Sequence, residues 1–293
     1  GVKIEAFSSN YELYGEMTGR VMTIIRDMAP ECFRYSIDEA FAVLDGFTVD
    51  ELHEWGTALH DRVMQSVGMP VSIGIAPTKT MAKMASHYAK KYAGYGHCCV
   101  IDTEERRIKA EQLYPIGEVW GIGRRYQARL ESMGIRTAYD FASHARSWVS
   151  ATFRTVIMER TWAELNGVDC IPDDIPAKKK SVCTSRSFRD MTSDFDTLHT
   201  HIANFAARCA EKARRQRSVA TVVGVFVDTN HFRTDLTQYW NMTEQTLRMP
   251  SASTIEIVKA ATACLKHFYR ADVRYKKAGV ILMGVIPDSG CQT

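Results

Sequence analysis

Arg34-Tyr35-Ser36-Ile37-Asp38-Glu39-Ala40-Phe41 reads as a β-hairpin with two adjacent carboxylates at its bend. Phe33, Tyr35 and Ile37 alternate with Arg34, Ser36 and Asp38, and Ala40 to Leu44 resumes in apolar residues before an Asp45-Gly46 turn, the period-two pattern of half-buried strands. The flanking residues want burial, so the bend gathers Asp38 and Glu39 at one sheet edge. Two such charges destabilise one another unless a cation neutralises them. Hard oxygen donors suit Mg²⁺, which keeps waters and bridges to substrate phosphates. Two ions held about 4 Å apart can activate a hydroxyl and stabilise a leaving pyrophosphate. An acidic pair at a turn is also an ordinary solvated bend, and these eight residues leave both readings open.

Outward from the hairpin the pattern is regular. Behind Ser8-Ser9-Asn10, the spacing of Tyr14, Met17, Val21, Ile24 and Met28 predicts a helix stopped by Pro30. On the other side, Thr48 and Glu51 form a capping box, Leu52, Trp55, Leu59 and Val63 share one helical face, and Gly68 marks the end. Val71 to Ile75 is a short buried strand, residues 78–92 a helix with Met81, Met84 and Tyr88 on one stripe, and Cys98 to Ile101 another strand. The order is αββαβαβ. Ser72 to Lys83 passes from strand through a tight turn into a helix bearing Lys79, Lys83, Lys90 and Lys91. A helix start and lysines near paired acids suit a nucleoside triphosphate, while the absence of GxxxxGK[ST] excludes a P-loop. Lys79, at the turn, reads as solvent-exposed.

Residues 104–172 read as short helices broken by glycines at 117, 121, 123 and 134, a small all-α unit. Residues 173–180 have the composition of an interdomain tether. Residues 181–290 then read strand, helix, strand, strand, helix, strand, the βαββαβ order of a ferredoxin-like split layout. The whole 293-residue chain carries a net charge of only +3, but the split is uneven: residues 178–293 hold 18 Lys and Arg against 10 Asp and Glu, and residues 1–177 hold 19 against 24. The basic C-terminal part suits a polyanion. At 45% hydrophobic and 24% charged residues, with 18 Gly and 8 Pro, disordered and collagenous classes are excluded. No apolar run spans a membrane and the first residues lack a signal-peptide layout, so the expected address is cytoplasmic. The eight cysteines form no CxxC pair and read as reduced thiols, with neither zinc nor disulfides.

Tyr35 to Phe41, the strand-turn-helix at Ser72 to Ala82, and Val119-Trp120-Gly121-Ile122-Gly123 with Leu130 and Met133-Gly134-Ile135 together resemble a Y-family translesion DNA polymerase. Cys183 to Phe188 and Tyr275 to Val280 resemble, within that family, the catalytic subunit of bacterial polymerase V. The resemblance covers essentially the whole chain. It implies an α+β multidomain fold: an incomplete ferredoxin-like palm at 1–103, an all-α thumb with a helix-hairpin-helix at 104–172, and a βαββαβ little finger at 181–290. It implies a two-metal Mg²⁺ site served by Asp38 and Glu39, with Lys90 on the triphosphate of the incoming dNTP and Ser36 in support. Primer-template DNA would be held by Gly121, Gly123, Arg124 and Arg125 in the thumb, and by Ser185, Arg186 and Arg189 in the little finger. A sliding clamp, an accessory subunit of the UmuD′ type and a RecA filament are the protein partners it implies, within translesion synthesis of the SOS type. Phe205, Phe226 and Phe268 sit on apolar stripes and read as core.

The chain departs from the family pattern at its start. The first palm strand, with an aspartate that bridges both metals, and the fingers with their steric gate have no counterpart, so a preceding segment of about 70 residues is expected. At the other end, Gln292 could open a clamp-binding peptide. The alternative to a polymerase is therefore a catalytically incomplete fragment that binds primer-template DNA without extending it. A nucleotide cyclase, which also sets carboxylates on a ferredoxin-like sheet, would leave the glycine hairpin and the basic C-terminal part without purpose.

Overall fold

The computed structural model describes residues 4–5, 7, 9–29, 31–173 and 180–288. Pro30, Lys178, Lys179, most of the expected tether and Gln292 lie outside the described residues. The chain divides into two units, Gly1–Ile175 and Pro176–Thr293.

The first unit opens with α1 (Tyr11–Met28), β1 (Cys32–Arg34), β2 (Ala40–Ala42), α2 (Val49–Val67), β3 (Ile73–Ile75), α3 (Lys79–Lys91) and β4 (Cys98–Val100). Local chemistry sets the helix starts. The Asn10 side chain accepts the Leu13 N–H, Thr48 and Glu51 cap each other reciprocally, and Thr78 accepts the Met81 N–H. Gly68, at φ 71°, ends α2 in a left-handed conformation. The strands are only three residues long. β1 and β2 pair antiparallel, and β3 and β4 pair parallel across the α3 crossover. A single ferredoxin-like sheet is not formed among the described residues, because each of these strands has a ladder on one edge only. Gly74 brings α3 onto β3: a Cβ there would collide with the Ala82 carbonyl and the Ser86 N–H.

Among the described residues, five further α-helices follow in this unit: α4 (Glu104–Leu113), α5 (Arg124–Ser132), α6 (Ala138–Ala142), α7 (Arg146–Phe153) and α8 (Val156–Leu165). Their core is continuous with α3, since Met84 and Tyr88 pack in one cluster with Leu130, Phe141, Met158 and Leu165. A smaller cluster of Val21, Ile24, Leu59 and Val63 joins α1 to α2.

The second unit contains β5 (Val182–Thr192), α9 (Phe195–Arg215), β6 (Ser218–Asp228), β7 (Trp240–Ser251), α10 (Thr254–Phe268), β8 (Tyr275–Met283) and β9 (Ile286–Pro287). The βαββαβ order is present, but the spatial order is β5-β8-β6-β7, with β9 on β6. A ferredoxin-like sheet would insert its third strand between the first two; here the fourth, β8, fills that place and pairs antiparallel with both β5 and β6. Burial explains the exchange. Ala278, Val280 and Leu282 of β8 are fully buried, whereas β7 is largely exposed and suits an edge. The core lies between the sheet and α9 and α10, and includes Leu198, Ile202, Phe205, Ile257 and Phe268.

Candidate active site and nucleic-acid interface

In the first unit the β1–β2 bend is held from several directions. The Tyr35 and Ser36 N–H groups both donate to the Glu39 carbonyl, at 3.0 and 3.1 Å. Ser36 Oγ donates to Asp38 Oδ1 at 2.6 Å. The Arg34 guanidinium donates to the Ser36 carbonyl at 2.8 Å, and Thr18 Oγ1 of α1 donates to that of Ile37 at 2.6 Å. Asp38 and Glu39 are thus exposed but borne on a fixed backbone.

Glu39 has a partner that sequence reasoning passed over. Lys83 Nζ lies 2.5 Å from Glu39 Oε1, and its side chain is 23% exposed against 45% for Glu39. The same ammonium stands 5.1 Å from the Tyr35 ring centroid and 5.3 Å from that of Trp120. Lys90 is exposed in the last turn of α3, about 10 Å along the helix from Lys83 on the same face. Lys79, expected in solvent, is instead only 13% exposed, held between Asp169 at 3.0 Å and Asp173 at 3.2 Å. The spacing of seven between Lys83 and Lys90 puts both on one stripe, so sequence alone does not separate them.

Two carboxylates are hard donors of the kind Mg²⁺ takes, but a two-metal site needs more of them. Among the described residues no group of three or more His, Cys, Asp or Glu gathers to hold a metal. Asp38 and Glu39 therefore fit one part of such a site and do not complete it.

The glycine hairpin follows a single 3₁₀ turn, Ile116–Glu118, rather than a full helix. Gly121 adopts φ +94°, and a Cβ there would meet Thr161 Oγ1 at 2.5 Å. Gly123 is the N-cap of α5 and offers no side chain, so the first N–H groups of α5 stay open. Arg124 and Arg125 are exposed beside them.

In the second unit, Ser185, Arg186 and Arg189 are exposed on β5, an edge strand. Thr184 Oγ1 meets Cys209 and Lys212 of α9, so Thr184 faces the helices and Ser185 the open side. By the same alternation Arg186 lies on the helix side, and the three residues do not share one face. Phe205 and Phe268 are buried as expected, but Phe226 is not core. Its ring lies against Gly279 on the open face, where a Cβ on Gly279 would clash with it, and Lys277 Nζ stands 5.8 Å from its centroid. Val223, Val225 and Val227 take the buried side of β6.

The fold is similar to that of a Y-family DNA polymerase chimera, Dbh-Dpo4(243-245)-Dbh, with a TM-score of 0.69 at 17% identity, covering 95% of this chain and 78% of that protein. An insertion ternary complex of Dbh DNA polymerase matches with a TM-score of 0.54, at the same identity and coverage. Residues 3–87 match the impB/mucB/samB family, and residues 179–293 match the C-terminal domain of that family. Protein UmuC of Salmonella typhimurium is 37% identical over 283 residues, 95% of this chain and 67% of that protein. Protein ImpB of Salmonella typhimurium is 37% identical over 294 positions, 99% of this chain and 69% of that protein. DNA polymerase IV of Dehalococcoides mccartyi is 26% identical over 280 residues, 94% of this chain and 67% of that protein. The chain belongs to the impB/mucB/samB family, the UmuC-like branch of the Y-family DNA polymerases, whose class of reaction is DNA-directed nucleotidyl transfer.

Proposed function

We propose that this chain carries the catalytic carboxylates and duplex-binding parts of a translesion DNA polymerase of the SOS type. The observation that carries the reading is the Asp38-Glu39 pair on a fixed hairpin end, with the lysine-bearing helix α3 set against it through Lys83. Residues 1–103 act as palm, 104–172 as thumb and 181–290 as little finger, joined by 173–180. Asp38 and Glu39 would hold Mg²⁺, which when bound would supply the two-metal chemistry that activates a primer hydroxyl and stabilises pyrophosphate. Ser36 orients Asp38, and Lys90 steadies the triphosphate of the dNTP. The open N–H groups in the first turn of α5, reached past Gly121 and Gly123 and flanked by the Arg124 and Arg125 side chains, take duplex phosphates as a helix-hairpin-helix does, without reading bases. Ser185, Arg186 and Arg189 contact the template backbone from the exposed edge strand β5, whose two faces they divide between them. A sliding clamp, an accessory subunit of the UmuD′ type and a RecA filament are its protein partners.

Primer extension with Mg²⁺ on a primed template tests this, alongside retention of the same DNA. Extension that disappears in Asp38→Asn and in Glu39→Gln, with DNA retention kept, is the expected result. DNA retention without extension, by this chain and by a form extended upstream alike, would instead favour the reading as a binding module.

A further inference from the structure

Trp120 stands where the glycine hairpin meets the acidic bend, and neither duplex binding nor nucleotide transfer as described above gives it a task. Its backbone is fixed. Val119 and Ile122 nearby are buried, the Trp120 carbonyl accepts the Thr161 hydroxyl at 3.3 Å, and Gly121 packs so closely on Thr161 that a side chain there would clash. Its indole points back to the hairpin, where Nε1–H donates to Tyr35 Oη at 3.2 Å. The ring meets Tyr35 edge-on with centroids 5.2 Å apart and lies 5.8 Å from Phe41.

The Lys83 ammonium occupies the corner formed by the Tyr35 and Trp120 rings while it touches Glu39. A lysine on a four-carbon stem has many rotamers, and an exposed ion pair alone holds it weakly. Two aromatic faces attract the cation electrostatically and exclude part of its water, which confines it to one place. That place is against Glu39 Oε1.

We propose that Trp120 is a positioning residue: by holding Lys83 against Glu39 it sets the orientation of that carboxylate from the glycine hairpin. The inference rests on the reading of Glu39 as a catalytic carboxylate for its consequence, but not for its geometry. A duplex gripped at Gly121 to Arg125 then bears on the same short segment that fixes the carboxylate, so grip and chemistry share one anchor.

The test is lysine acetylation by acetic anhydride on the folded protein, read residue by residue by mass spectrometry, with Lys79 as internal reference. Lys79 is held by Asp169 and Asp173 and owes nothing to Trp120. In Trp120→Leu the Lys83 rate should rise about fivefold relative to Lys79, and in Trp120→Phe, which keeps a smaller ring, about twofold. An unchanged ratio in both variants overturns the proposal. Should Lys79 rise in step in Trp120→Leu, that variant has lost its fold, and Trp120→Phe decides alone on the same criterion. In single-nucleotide incorporation, Trp120→Leu should lower kcat about tenfold with KM within about twofold, since the indole touches Lys83 and not the nucleotide. A released Lys83 with kcat unchanged would overturn the link from Lys83 to the carboxylate. Lys83 released in Trp120→Leu, with no incorporation by the unsubstituted chain or by a form extended upstream, would leave the positioning intact and remove the polymerase reading.

Discussion

The carboxylate of Glu164, fully buried on α8, accepts the backbone N–H of Thr80 at the start of α3 over 2.9 Å. Its other oxygen accepts the N–H groups of Cys170 and Ile171, at 2.9 and 3.1 Å, while Thr78 Oγ1 donates to the Glu164 carbonyl. One side chain thus fastens α3 to the segment that leaves the helical part of the first unit. Glu164→Ala strands three buried or half-buried donors and should destabilise that unit by about 3 kcal/mol or more. Glu164→Gln keeps one accepting oxygen and should fall between. Urea unfolding followed by fluorescence checks both, and a loss under about 1 kcal/mol for the alanine variant would show that water replaces the carboxylate.

Gly74→Ala should be severe for a different reason. The added methyl meets backbone atoms of α3, which cannot turn aside as a side chain could. The helix must shift, carrying Lys83 away from Glu39. The expected loss is about 3 kcal/mol, in the range of overpacked cores, with Lys83 acetylation raised alongside. A variant that unfolds at the wild-type midpoint would refute the close approach.

Glu111 gives the first unit a pH dependence. Burial raises its carboxyl to about 7, against the partial opposing effect of Arg107, which donates to both of its oxygens. A carboxyl with a raised folded-state pKa takes up a proton on folding, so its contribution is fullest below the unfolded value and is lost as pH rises through about 7. Stability should fall by on the order of 2 kcal/mol between pH 5 and 8, and Glu111→Gln should flatten that slope. Denaturation midpoints across this range are the measurement; an unaltered slope in the glutamine variant would assign it to other groups.

Arg124→Ala and Arg125→Ala should weaken binding to duplex DNA of any sequence and reduce the salt slope by about 1 each. Loss confined to particular sequences would mean that these side chains read bases. Titrations at several salt concentrations separate the two outcomes.

What was legible in the sequence is what neighbours in the chain decide. The Thr48–Glu51 box, the Gly68 terminator and the Phe33–Phe41 hairpin rest on residues a few positions apart, and the structure has each of them. The place of β8 between β5 and β6 depends on ladders between segments about 50 to 100 residues apart, which no local pattern encodes. Phe226 was misassigned because alternation along β6 gives two faces without saying which is covered; the valines take the core and leave it outside. At the candidate site Asp38 and Glu39 were visible as an acidic pair, whereas Lys83 was indistinguishable from its stripe-mates. Its selection comes from Gly74, which sets how closely α3 lies on β3.

The central place of β8 has a consequence for how the second unit comes into being. As the ribosome delivers this domain, β5, α9, β6, β7 and α10 all emerge before Tyr275, yet among the described residues β5 has no ladder other than that with β8 and is joined to β6 in the sheet only through it. Until Met283 is out, the place between β5 and β6 has no strand to fill it. A chain cut short before Tyr275 therefore leaves β5 and β6 without the strand that joins them.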